Sequence, residues 1–418
     1  METEVMNIVQ HELYIITFIL CIGLLAMKFA TRIKIPDVAL FMVLGIIVGQ
    51  SGLKLISVPN ESLANQFIIV LGSVLILFEG GRAIHFSVLK KVWITITLLS
   101  IPGVIITAII VAITSYYLLH MPPLYSLLLA SVIASTDPAT LIPVFKQVKI
   151  RDKVRQTVES ESAFNDATGS ILAFTILGMI LGTTQLSITS SIWSFFREAG
   201  GGVIVGAIIG FLGVLFTAEH KLSFFRNHNS IVSLVMAISS YLAAVSIEAS
   251  GFMATFTAGL FLGNPELFRL QISEENSTHS FHFSETITLI MRKLIFIILG
   301  TQVNFHILNK FWVQGIVIVL VFMFIARPIT VLLCTLPDRK AKWEWKEIVF
   351  MFWVRETGVI PAALSGMIVA AGVKYSNEIT TVTFIAILMT ILIQASTTGY
   401  VAKKLGIIIE DSSANIMK

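Results

Sequence analysis

Residues 159–169 read ESESAFNDATG and lead, through Ser170, into ILAFTILGMILG at 171–182, which is almost pure hydrocarbon. The first stretch holds the carboxylates Glu159, Glu161 and Asp166, the hydroxyls Ser160 and Ser162, and the amide Asn165. A charged side chain at mid-membrane costs about 2.5–3.5 kcal/mol on insertion scales, so a cluster at the mouth of and inside a lipid-suited segment points to function.

The rest of the chain places that segment in a membrane. Of 418 residues, 56% are apolar and 13% charged, with a mean hydropathy of +0.87. Soluble domains carry about 25% charged residues to cover their surface. The sequence therefore reads as an all-α polytopic membrane protein and excludes an ordinary soluble domain. Thirteen spans are expected, at roughly 13–29, 36–50, 65–82, 93–119, 124–145, 157–182, 200–217, 229–248, 252–264, 285–303, 311–336, 347–372 and 378–402. The tenth carries Arg292 and Lys293. The N-terminus METEVMNIVQHELY lacks a basic leader region, so the first span is expected to be retained. Cys21 and Cys334 sit in apolar stretches without metal-ligand spacing and read as small apolar side chains.

Loop charge orients the spans. With the N-terminus outside, inside loops hold twenty-one Lys and Arg residues, including Lys90, Lys91, Lys149, Arg151, Lys153, Arg339 and Lys403. Outside loops hold four: Lys54, Arg197, Lys310 and Lys374. This is the positive-inside bias, and it puts the C-terminus in the cytoplasm of a cell (plasma) membrane protein. The net charge of +4 belongs to those loops, so no nucleic-acid partner is expected. Residues 1–402 form a single transmembrane domain, followed by a short tail, 403–418.

Two spans are broken. The fifth contains Thr136-Asp137-Pro138, and the twelfth contains Arg355-Glu356-Thr357-Gly358 with Pro361 following. Proline removes a helix hydrogen bond, and glycine loosens the backbone. The two lie seven spans apart, so they run in opposite directions. Paired interruptions at matching positions of inverted halves point to the binding site of a secondary transporter.

The intramembrane ionisable groups are Glu79, Asp137, Glu161, Asp166, Arg327, Arg355 and Glu356. Ser162 and Asp166 are four apart and share one helix face. With Asp137 and carbonyls freed by Pro138, they form a candidate oxygen cage for a monovalent cation. Burial disfavours the charged form of a carboxylate, so Asp166 can take a proton near neutral pH, whereas a bound cation favours the ionised form. Proton and cation then compete for one group. Glu161 is expected to pair with Arg355 as a structural ion pair, because an unpaired buried charge is strongly destabilising. Arg355 as a gate is the other reading. Arg327 either pairs with Glu356 or caps helix dipoles. Glu79, in FEGGRAIHF at 78–86, is either an interfacial residue or an acid supporting the site. Asp37 is expected to cap its helix.

These motifs resemble the sodium/proton antiporters of the NhaP and sodium–hydrogen exchanger branch. ASTDPAT at 134–140 and ESAFND at 161–166 carry the resemblance. IPDVALFMVLGIIVG at 35–49, SETITLIMRKLIFIILGTQV at 284–303 and ARP at 326–328 extend it along nearly the whole membrane region. The resemblance implies an NhaA-like antiporter fold: two inverted six-helix repeats joined by the seventh span, with crossed broken helices. Spans 4–6 and 11–13 would form the moving core, and the rest a dimer scaffold, giving a homodimer with elevator-type alternating access. It implies Asp166 as the ion- and proton-binding acid, with Asp137, Ser162 and the Thr136 carbonyl as further cation ligands. Asn165 would bridge to the broken span, Glu79 would reach the ion through water, and Glu161 would pair with Arg355.

The expected function is exchange of a monovalent cation, sodium or lithium first, for a proton, with membrane lipid around it and no cofactor. The Asn165-Asp166 form suggests electroneutral one-for-one exchange, since asparagine cannot carry a second proton. Two departures stand out: Ala167 where proline is common, and Glu356, an extra acid that bears on selectivity and stoichiometry. The alternatives are a potassium or ammonium antiporter of the same fold, a cation channel, and an intramembrane aspartyl protease using Asp137 and Asp166. The protease lacks its Gly-x-Gly-Asp motif here.

Overall fold

The computed structural model describes residues 2–33, 37–56, 58, 62–137, 141, 144–145, 148–182, 188–219, 224–225 and 228–409. Pro138 and residues 410–418 of the tail lie outside them, as do parts of the expected fifth span.

The described chain is helical. Among the described residues the sole extended pairing is an isolated bridge between Ile150 and Ile408. The helices are α1 Glu2–Ile33, α2 Asp37–Val48, α3 Leu63–Arg82, α4 Phe86–Ser100, α5 Pro102–Leu119, α6 Pro123–Ile133, α7 Asp152–Ile180, α8 Ile188–Thr217 and α9 Asn229–Ser246. They continue as α10 Gly251–Leu262, α11 Glu274–Thr301, α12 Phe305–Val321, α13 Arg327–Thr335, α14 Trp345–Trp353, α15 Val359–Ala370, α16 Ser376–Met389 and α17 Ser396–Leu405. Eight helical stretches among the described residues are long and apolar enough to cross a membrane, and α2, α6, α10 and α15 are shorter apolar helices. The protein is an all-α, multi-pass integral membrane protein.

Local chemistry sets the boundaries. Pro102 starts α5 and Pro123 starts α6, where a missing N–H costs nothing. Ser62 caps α3 by accepting the Asn65 N–H, and Ser250 caps α10 by accepting the Met253 N–H. The Asp37 carboxylate accepts the Val38 N–H at the start of α2. Glu344 and Glu347 form a reciprocal capping box at the start of α14. Two π-helical turns interrupt long spans: Phe322–Ala326 before Arg327-Pro328, and Thr390–Ala395 between α16 and α17. The first sits where Pro328 withholds its backbone donor.

Packing falls into two groups. α10 lies between α3 and α8 with α9 beside it, and α11 packs on α2, α3 and α9. Gly45 and Gly300 let α2 and α11 touch, since a Cβ on either would enter the other's backbone. The second group holds α4 to α7 and α12 to α17: α5 packs on α6, α4 and α6 on α7, α12 on α16, and α15 on α16. Its apolar core runs through Leu128, Val132, Ile133, Ile318, Phe322, Ile379 and Ala386, all fully or almost fully buried.

At 134–137, just past α6, and at 354–358, between α14 and α15, the backbone leaves helical geometry. The Asp137 N–H donates to the Glu356 carbonyl at 2.8 Å. Arg355 Nη2 donates to the Ala134 carbonyl at the end of α6. The Val359 N–H donates to Asp137 Oδ2 at 3.2 Å. The two interruptions thus satisfy each other's exposed backbone groups at a depth where water is scarce.

Candidate functional site

α7 passes this crossing with the polar face that the ESESAFND stretch encodes. Asp166, Ser162 and Asn165 are each fully buried. Asn165 ties α7 to the first interruption: its Oδ1 accepts the Thr136 N–H at 3.0 Å, and its Nδ2 donates to Thr136 Oγ1 at 2.9 Å. Both oxygens of Asp166, and the hydroxyls of Ser162, Ser135 and Thr357, find no hydrogen-bond partner among the described residues. Asp166 lies within the field of the Asp137 carboxylate and of the Ser135 hydroxyl. An unpaired carboxylate in such a place is uncompensated, and a proton or a cation removes the imbalance. Hydroxyl and carboxyl oxygens without protein partners are the donor set a hard monovalent cation requires.

Asp137 has a different setting. Its carboxylate rests on the N-terminus of α15, accepting from Val359 and lying against the Cα of Gly358, where a Cβ would collide with it. The positive end of a half-helix therefore holds this acid in place. Thr136 spends its hydroxyl on Asn165. The second interruption is supported from the π turn: Thr390 Oγ1 accepts the Thr357 N–H at 3.1 Å, and Gln394 Nε2 donates to the Trp353 carbonyl at 2.7 Å.

The structure overturns the expected Glu161–Arg355 pair. Glu161 is joined by Arg327, through Nη1 to Oε1 and through Nη2 to Oε2 at 3.0 Å. Arg327 also donates from Nε to the Met351 carbonyl at 2.8 Å and from Nη2 to the Val354 carbonyl at 3.1 Å. The reason is geometric. Arg327 opens α13 facing α7, and its planar fork fills both carboxylate oxygens while capping the last carbonyls of α14. Arg327 therefore does not pair with Glu356, and its dipole-capping role is met at α14. Arg355 turns the other way, to the C-terminal end of α6, with its guanidinium 4.9 Å from the Phe322 ring. A cation at a helix C-terminus is favourable.

Glu356 is fully buried, its Oε2 has no partner among the described residues, and its Oε1 meets only the Thr398 hydroxyl at 3.5 Å. Glu79 is buried in the last turn of α3, within the field of Arg82. The sequence reading missed Ser135, Thr357, Thr390 and Gln394. Thr390 and Gln394 are polar residues four apart in an apolar span, the same one-face signal that exposed Ser162 and Asp166. It also passed over Arg292, which is buried in α11 within the fields of Asp37, Glu285 and Asp137.

The model of the family described as sodium/hydrogen exchanger, transmembrane, matches residues 15–404, a range that holds every residue of this site. The chain belongs to the sodium/hydrogen exchanger family. This exchanger is 29% identical over 416 residues to Na(+)/H(+) antiporter 1 of Methanocaldococcus jannaschii, covering 92% of this chain and 94% of that protein. It is 27% identical over 407 residues to the K(+)/H(+) antiporter NhaP of Alkalimonas amylolytica, covering 95% of this chain and 67% of the relative. Its fold matches the structure of the sodium proton antiporter MjNhaP1 from Methanocaldococcus jannaschii at pH 8. The TM-score is 0.80 with 28% identity, over 95% of this chain and 99% of the other. The exchanger is a transporter by family, not an enzyme.

Proposed function

We propose that this exchanger is a secondary-active antiporter that trades a monovalent cation, sodium or lithium first, for a proton. Asp166 is the group for which the two compete. One observation carries this reading: the Asp166 carboxylate is fully buried with no ion pair among the described residues, and the groups beside it are the neutral hydroxyls of Ser135 and Ser162. Ser162, the Thr136 carbonyl and Asp137 complete the cation's oxygen shell, and Glu79 approaches it through water. Asn165 holds the first interruption to α7. Because its amide cannot ionise, one carboxyl serves one cation and one proton, so exchange is electroneutral.

The packing groups support a core of α4–α7 and α12–α17 moving against the other helices in an elevator-type cycle, within a homodimer. The positive-inside count supports an N-terminus outside and a C-terminus in the cytoplasm of the plasma membrane. Exchange assays in vesicles carrying an imposed proton gradient, with sodium, lithium, potassium and rubidium in turn, test the reading. Sodium- and lithium-coupled proton movement that vanishes in Asp166→Asn supports it. The potassium reading has its own support in the Alkalimonas relative, and potassium-coupled movement would select it. Cation flux without proton counterflow would point to a channel.

A further inference from the structure

Two cavities adjoin along the boundary between the two packing groups. The first, about 230 Å³, has α3, α9 and α10 on one side and α7 and α15 on the other. The second, about 220 Å³, lies between the loop after α2 and the helices α12, α15 and α16. Gln302, just past α11, lines both, and α15 runs from one to the other, with Met367 and Ala370 on the first and Val369 on the second. Ser170 and Phe174 of the first cavity follow Asp166 on α7, so they lie on the side of it away from Arg151 at the helix start. On α3 the lining runs from Ser73 back to Asn65, away from Arg82. This is the side that the positive-inside count puts outside. Phe174 and Met367 are about half exposed, so the first cavity opens there to the surface.

The walls of the first cavity lead to the acid. Ser170 is four residues beyond Asp166, as Ser162 is four before it, so the three side chains form one stripe with Cβ atoms about 5–6 Å apart. Exposure rises along the stripe: Ser162 and Asp166 are fully buried, and Ser170 is half-buried. Ser73 stands on the α3 wall at 5% exposure. Its hydroxyl and that of Ser170 have no hydrogen-bond partner among the described residues. Buried helical serines elsewhere in the chain give their proton to a carbonyl three or four residues back, as Ser115, Ser233 and Ser365 do. A hydroxyl left unspent in hydrocarbon is costly, and an alanine would pack there at less expense. On α15 the cavity meets Ala362, Gly366 and Ala370, one turn apart, and their small side chains leave room for an ion. An alkali cation leaving water needs replacement oxygens at each step, and free hydroxyls supply them.

We propose that Ser170 is the entry ligand for the transported cation: its hydroxyl, together with that of Ser73, takes over from water as the ion passes from these cavities to Asp166. The inference rests on the reading of Asp166 as the acid that cation and proton share. Ser170 rides on α7 with Asp166, whereas Ser73 belongs to α3 in the other packing group. Movement of one group past the other separates the two hydroxyls, and an ion that reaches Asp166 from the cytoplasmic side does not pass them. The carboxyl takes its proton without an oxygen cage, so the serines act on cation affinity and leave the pH dependence alone.

Full-length exchanger in vesicles of known orientation, with the exchanged cation, sodium first, added from the outer or the cytoplasmic side, reads this role through initial rates of proton movement. Ser170→Ala should raise the apparent KM for the cation from the outer side about fivefold, the loss of one neutral oxygen contact. The change from the cytoplasmic side should be smaller, and the pH profile of the rate should stay in place. Ser170→Thr keeps the hydroxyl and should restore the outer KM. If Ser170→Ala does not fold, Ser73→Ala is the second variant, and it should shift the outer KM in the same direction. An effect equal from both sides and uncured by threonine would mark a packing role and overturn the proposal. An outer KM unchanged in both alanine variants would overturn it too. Absence of coupled exchange in the wild type would instead defeat the Asp166 reading on which it rests.

Discussion

Removing the Glu161 carboxylate with Glu161→Ala should destabilise the exchanger more than removing any other acid of the site. The carboxylate takes two hydrogen bonds from Arg327, and both side chains are at most 1% exposed, so neither solvent nor salt screens them. Each charge-assisted hydrogen bond is worth about 1.5–3 kcal/mol. Two of them give about 3–6 kcal/mol, in line with the ~3–5 kcal/mol cost of breaking a buried pair from one side. Arg327 keeps its bonds to the Met351 and Val354 carbonyls in the mutant, but its charge is left uncompensated. Replacing Arg327 by Met in the Glu161→Ala background removes that charge, so the double mutant should lose much less than the sum of the single losses. Arg355→Gln should couple to Glu161→Ala more weakly than Arg327→Met does, since Arg355 feels the Glu161 charge but gives its hydrogen bond to the Ala134 carbonyl. Melting temperatures and recovered folded protein in detergent supply this double-mutant cycle. Strong coupling of Glu161 to Arg355 and none to Arg327 would refute the pairing.

Four further outcomes follow from the same geometry. Asp166→Asn should abolish exchange in vesicles while melting close to the wild type, because among the described residues the replaced group has no ion pair to lose and the amide can still accept from the Ser135 hydroxyl. Gly358→Ala should drive Asp137 off the α15 N-terminus, and a displacement of about 1 Å at a reacting centre costs on the order of a hundredfold in rate, read as initial exchange velocity. Thr390→Val should strand the buried Thr357 N–H at a cost of about 1–3 kcal/mol, visible in the melt. Outside the membrane spans, the hydrogen bond from Arg151 holds the Glu344 carboxyl below its usual range. Its contribution is present at neutral pH and should disappear as pH falls through that lowered value; Glu344→Gln should remove this acid-side change in the melting profile.

The architecture was legible where the chain must answer to lipid. Apolar length marked the spans, and Thr136-Asp137-Pro138 and Arg355–Gly358 marked the interruptions, because broken backbone in hydrocarbon needs partners. The shared face of Ser162 and Asp166 followed from helical spacing, whereas the tie from Asn165 to the broken span came from the family resemblance. What the sequence could not reveal was which charge meets which. Glu161 had two buried arginines to choose from, and the choice of Arg327 depends on how α13 and α14 pack against α7, a relation with no local signature. The same holds for Asp137, whose neighbour on the α15 N-terminus lies more than two hundred residues away. The π turns at Phe322–Ala326 and Thr390–Ala395 were equally silent, although Pro328 and the Thr390/Gln394 spacing stood beside them.

The most direct test of the central claim is a count of protons. Purified exchanger in weakly buffered detergent solution, titrated with sodium near neutral pH while free protons and bound cation are followed together, should release protons in proportion to occupancy, up to one for each cation held. Asp166→Asn should release none. Cation binding by the wild type that frees no proton at any pH where Asp166 is protonated would contradict the account.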